Sequence, residues 1–245
     1  MRKKPLAGAV IGVLALATAS VAIAGTKNGV TFDATTTVKK PGTSTGLKTH
    51  IQGAPTFNGQ LEAARQVTVS FPPGTKINSK AVAQCKATDQ QIQSTNGAAC
   101  PAKSKIGTGI AEAITGLGPS IDPVVENIVA FNVPKGIAFL LTPKGAIGQT
   151  AAFRGKFSGA GASSVHGAAA GPKLVTNVPK FPIPGVGEAK LTKFDLNVKK
   201  GGTRAKPYAT TPRTCPKSGK WALTALFKYD NTPPILVKDT SPCTK

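Results

Sequence analysis

Acyl transfer by a serine or cysteine requires a base beside the nucleophile, and this chain offers two imidazoles, His50 and His166. His166 follows Ser163 and Ser164 in the stretch Gly161-Ala162-Ser163-Ser164-Val165-His166-Gly167. Adjacent strand residues point to opposite faces and glycine-rich surroundings give little rigid support, so an ordinary surface or cross-strand histidine is expected. His50, at a strand end, is expected to be the same. No G-x-S-x-G nucleophile elbow occurs. Glycosidic chemistry needs two carboxylates aimed into one cleft. Of the ten carboxylates, Glu112, Asp122 and Glu126 could converge across a hairpin, as a calcium site or an acid pair. Among so many basic side chains, surface ion pairing is the expected fate, and no D-x-D-x-D-G calcium loop exists. Neither Gly107-Thr108-Gly109 nor Gly185-Val186-Gly187 continues into a phosphate-cradling motif. No catalytic, cofactor-binding or metal-ligating residue is expected.

The remaining reactive side chains are Cys85, Cys100, Cys215 and Cys243. An even count fits disulfides in an oxidising compartment. Three connectivities exist, and local pairing, Cys85–Cys100 and Cys215–Cys243, is expected because each pair brackets a polar, turn-rich segment. There is no C-x-x-C and neither histidine lies near a cysteine in sequence, so zinc is not expected.

The elements that must hold these residues are strands. Gln66-Val67-Thr68-Val69-Ser70-Phe71 alternates and stops at Pro72-Pro73-Gly74; Lys193 to Lys199 alternates and stops at Gly201-Gly202. Trp221, Leu223, Phe227 and Tyr229 share one side of a third run. Asn127 to Val133 and Ile137 to Thr142 flank a hairpin turn at Pro134-Lys135-Gly136. Further strands are expected at 29–38, 45–51, 106–114, 149–157, 165–174, 188–191 and 234–238. Pro179, Pro182 and Pro184 enclose an extended edge or crossover. A short helix is expected over Asn78–Cys85, which opens with capping residues. Many short half-buried strands predict an all-β fold: an antiparallel β-sandwich, one large or two small Ig-like ones, stapled by disulfides.

Ahead of these lies an address. Arg2, Lys3 and Lys4 precede an uncharged run from Leu6 to Ala24 closing on Ala22-Ile23-Ala24, the pattern of a signal peptide over residues 1–24 cleaved near Ala24. Residues 25–44 are a loose segment or first strand, and 45–245 the sandwich, with a possible internal boundary near 115–125. No membrane span is expected after cleavage.

Phe71-Pro72-Pro73-Gly74, Cys85, Cys100-Pro101, Ser104-Lys105-Ile106-Gly107-Thr108-Gly109, Cys215, Trp221, Phe227-Lys228-Tyr229 and Pro242-Cys243 together resemble a group of secreted, uncharacterised actinobacterial proteins. The resemblance spans roughly residues 60–245. It implies a β-rich exported domain and carries over no catalytic residue.

Charge is the functional signal that survives. The chain holds 31 Lys and Arg against 10 Asp and Glu; without Arg2, Lys3 and Lys4 the balance is +18. Such a field attracts polyanions: an anionic cell-wall polymer, acidic lipid or nucleic acid. Four arginines after Ala24, one Trp and two Tyr are too few for specific nucleic-acid reading. The lysines are scattered along the sequence, which is also how solubility and strand-edge protection look. The expected function is a non-catalytic structural or interaction module of the envelope or extracellular space. The alternatives are a lysine-driven polyanion binder and a hydrolase with an unrecognised site.

Overall fold

The computed structural model describes residues 25–159 and 171–244. The expected signal peptide and the Ser163, Ser164 and His166 group lie outside the described residues. The chain begins with β1 (Gly25–Lys27), β2 (Val30–Thr36), β3 (Leu47–Gln52), the short β4 (Thr56–Phe57) and β5 (Gln60–Leu61), β6 (Gln66–Ser70) and β7 (Lys76–Ile77). A helix α1 (Asp89–Ser94) and a 3-10 turn (Ala102–Ser104) precede β8 (Lys105–Ile114), β9 (Val124–Val133), β10 (Gly136–Pro143) and β11 (Ala151–Ser158). Then follow β12 (Lys173–Asn177), β13 (Phe181–Ile183), β14 (Gly187–Val198), β15 (Ala209–Thr210), β16 (Lys220–Lys228) and β17 (Ile235–Pro242).

One antiparallel sheet runs β1-β2-β3-β14-β8-β9-β10-β11-β12-β6-β16-β17, with β13 paired beside β14. It curls until its last strand meets its second. The Asp239 carboxylate of β17 accepts from Ala34 N of β2 at 2.7 Å, and Ser241 Oγ accepts from Thr36 N at 3.0 Å. The result is a nearly closed barrel with Phe32, Ile128, Leu141, Leu223 and Ile235 buried inside. The all-β antiparallel expectation holds; the Ig-like sandwich is corrected. Alternation says which residues share a face, not whether a sheet splits into two layers or bends round on itself. What bends this one is visible in β8 and β14. Register shifts interrupt their ladders at Lys105/Gly107 and Leu191/Lys193. At Gly109 the β14 backbone comes so close that an added Cβ would lie 1.8 Å from Asp195 O. Bulges and glycines are the usual means of turning barrel corners.

Both local disulfides form, Cys85–Cys100 and Cys215–Cys243. The first clasps a segment lying on the outside of β9 and β10, where Ile92 packs with Phe131, Val133, Ala138 and Leu140. In the chain-entropy picture a 15-residue loop of this kind is worth about 3 kcal/mol. The helix expected over Asn78–Cys85 does not form. Asn132 Nδ2 donates to Ser79 O, Val82 O and Ala83 O at 2.8, 3.3 and 3.0 Å, and takes those carbonyls for tertiary contacts. The helix sits further on at α1, capped by Thr88 Oγ1, which accepts from Gln91 N while Thr88 N donates to Gln91 Oε1. The two strands expected at 188–191 and 193–199 are the single strand β14, bulged between Leu191 and Lys193 and ending at Val198.

Antiparallel pairing sorts the connections into two ends. The upper end gathers segments 53–65, 115–123, 144–150, 178–187 and 229–234; the lower end gathers 37–46, 71–82, 134–135 and 199–219. Residues 115–123, near the suggested boundary, join the neighbouring strands β8 and β9. At the lower end Ile77, Ala81, Val82, Tyr208 and Ala209 pack against the interior.

Candidate functional site

The two ends differ in chemistry. The lower end carries exposed Lys39 and Lys40 on the β2–β3 connection, and Lys76 and Lys80 on the segment after β6. Lys135 tips the β9–β10 turn, and Lys103 and Lys105 stand where β8 begins. Lys199, Lys200, Arg204 and Lys206 follow β14, and Arg213, Lys217 and Lys220 lead into β16; all are exposed. In residues 37–46, 71–105, 134–135 and 199–220 the one carboxylate is Asp89, on α1 at the barrel flank, and Arg154 holds it. Half of the basic residues that look scattered along the chain after Ala24, 14 of 28, are thus collected at one end by the topology.

The upper end carries carboxylates and basic side chains in equal number, and is braced and partly apolar. Glu62 accepts from Asn231 N, Asn231 Nδ2, Thr232 N and Thr232 Oγ1 at 2.6, 3.1, 2.9 and 2.5 Å. Burial pushes its carboxyl up, but these bonds outweigh it and hold the pKa below the ordinary carboxylate value. Arg65 donates to both oxygens of Glu188 and, through Nε, to Asp230 at 2.7 Å, tying the start of β6 to the start of β14 and to the β16–β17 connection. The large apolar side chains that stand exposed among the described residues, Phe57, Leu117, Ile147 and Val186, are 41–46 % accessible and all belong to this end.

The sequence-nominated residues do not form one site. Glu112 and Glu126 lie on opposite faces of the sheet: Lys193 Nζ donates to Glu112 on the outside at 2.8 Å, while Glu126 faces inward beside Ala111 and Pro143. Asp122 is spent within its own loop, accepting from Thr115 N, Thr115 Oγ1 and Gly116 N. Burial raises Glu126 to about 7. His50 sits between Asp33 and Asp195 in register across three strands; its Nδ1 meets the Asp195 carboxylate and its Nε2 lies 3.2 Å from Gln52 Oε1. This is a hydrogen-bonded row on an open sheet face. Among the described residues no cluster of three or more His, Cys, Asp and Glu is placed to hold a metal ion.

A feature not legible in the sequence lies inside the barrel. A cavity of about 150 Å³ is lined from Ala54, Ala64 and Tyr229 near the upper end to Ile77 and Tyr208 near the lower. Phe139, Phe153 and Phe194 form part of its wall, with ring centroids 5.4 and 5.6 Å apart. Tyr208 is 2 % exposed and its phenolic oxygen has no hydrogen-bond partner. Alternation nominates the inward residues, yet whether they fill the space depends on barrel girth, which no short pattern encodes.

No family model, curated protein or solved structure matches the chain.

Proposed function

We propose that this protein is an exported, non-catalytic interaction module that holds an anionic polymer of the cell envelope against the lower end of its barrel. The observation that carries this reading is the segregation of charge: exposed lysines and arginines crowd one end, and the carboxylates sit elsewhere. A cationic end with no opposing carboxylates focuses a field that draws in a polyanion and orients it. Lysine dominates, which suits point-charge contact with phosphate or carboxylate rather than bidentate reading. Among the described residues the exposed large apolar side chains lie at the opposite end, which favours charge contact over base stacking or lipid insertion at the basic face. Two disulfides accord with an oxidising compartment outside the cytoplasm.

The test reverses charge at one end at a time. Lys199→Glu, Lys200→Glu and Arg204→Glu together weaken binding of long-chain polyphosphate by at least about tenfold near physiological salt and flatten the dependence of log K on log salt by about 2–3. Lys27→Glu, Lys144→Glu and Lys228→Glu change net charge equally at the upper end and shift affinity less than about threefold, since they lie beyond the ~8 Å screening length from the polymer. Equal losses in the two triples, or no salt-sensitive binding in the unsubstituted protein, contradict the proposal.

A further inference from the structure

The interior cavity is independent of the basic end and has a chemistry of its own. Side chains just fill a barrel of about eight strands. The path here has twelve, and the inward side chains together with the lower-end cover leave about 150 Å³ unfilled. The chain concentrates its aromatic rings around that space: Phe71, Phe139, Phe153, Phe157, Phe194 and Phe227, six of its ten phenylalanines, stand in the wall. Val69, Leu174 and Leu223 share it. Its one charged member is Lys193, whose ammonium bonds Glu112 on the outer face at 2.8 Å. Thr36, Thr45, Thr192 and Thr211 donate their hydroxyls to Val38 O, Gly46 O, Glu112 O and Lys40 O. The other wall hydroxyls, on Thr49, Thr75, Thr176, Thr210, Tyr208 and Tyr229, are neutral groups. An ionised ligand would lose its hydration there and meet no counter-charge.

We infer that the cavity is a binding site for a small, neutral, mainly hydrocarbon molecule of about the volume of one aromatic ring. The class follows from the wall, which offers rings and aliphatic groups but no charge. The size follows from the volume, since hydrocarbon-lined cavities of about 150 Å³ stay dry and take up benzene or xenon. The driving force is the dispersion contact that the wall atoms forfeit while the space is unfilled.

Titrations of toluene, benzoate and protonated benzylamine, three ligands of similar shape and different charge, followed by methyl chemical shifts of the protein, test this. Toluene binds and shifts the methyl signals of Val69, Leu174 and Leu223, while those of the exposed Leu117, Ile147 and Val186 stay in place. Benzoate and benzylammonium bind at least about 30-fold more weakly than toluene. Val69→Phe and, in a separate variant, Leu174→Phe occupy part of the space and weaken toluene at least about tenfold, each variant first checked for a native amide spectrum. Should both variants unfold, the shift pattern and the charge comparison decide by themselves. No toluene binding by the unsubstituted protein overturns the inference. So do shifts centred on Leu117, Ile147 and Val186, benzoate or benzylammonium binding as tightly as toluene, and undiminished toluene binding by a folded variant. None of these outcomes bears on polyphosphate binding at the lower end.

Discussion

Two glutamates at the same end of the barrel show how environment assigns opposite roles to one side chain. Glu126 is pushed up to about 7 by burial. A carboxyl raised in the folded state contributes stability that is fully present below its ordinary value near 4.5 and is lost as pH rises through 7. Glu126→Gln therefore raises the melting temperature at pH 8.5, by the equivalent of about 1–2 kcal/mol, and has no effect at pH 4; a loss of stability at pH 8.5 would contradict this assignment. Glu62 is lowered by the bonds from Asn231 and Thr232, so its contribution is present above 4.5 and fades as pH falls through its folded value. Glu62→Gln costs about 1–3 kcal/mol at pH 7 and progressively less on acidification, read from urea midpoints at pH 7 and pH 3. Neither role was legible beforehand. Glu126 looked like one of three converging acids, and its inward direction depends on register with Ala111; the partners of Glu62 lie about 170 residues away.

At the scale of elements, the strands were the legible part. Alternation at Gln66–Ser70, Lys193–Val198 and Trp221–Phe227 reports which side chains meet the core, and that is a local property. The short helix was misplaced because its competitor is not local. Residues 78–85 have capping and helix-forming character, yet Asn132 takes their carbonyls from fifty residues downstream. The capping box of Thr88 and Gln91, in contrast, stands in the sequence, and its spacing alone would have placed α1 correctly. Asn132 is accordingly the pin that holds the lower-end cover. Asn132→Ala frees three carbonyls and costs about 2–3 kcal/mol, lowering the melting temperature by about 5–10 °C. Hydrogen exchange at the Cys85 amide, which donates to Asn132 O, speeds up with it; unchanged stability and exchange would show that the cover is held by Cys85–Cys100 alone.

The whole molecule shows what neither residue patterns nor elements reveal: polarity from end to end. Lysines that appear singly every few residues carry no stripe in sequence, because a stripe requires knowing which connections share an end. Because every pairing is antiparallel, alternate connections share an end, but reading that requires knowing which segments are connections and that β3, β14 and β8 stand side by side. The same ordering leaves the exposed apolar side chains and most ion pairs at the upper end, and puts Cys215–Cys243 beside the basic one. The central claim, that one end of the barrel is the anion-binding face, is tested most directly by amine footprinting in the presence and absence of polyphosphate. The account predicts protection of Lys39, Lys40, Lys199, Lys200 and Lys217, with Lys27, Lys144 and Lys228 labelled as freely as before. Protection spread evenly over both groups, or confined to the second, would contradict it.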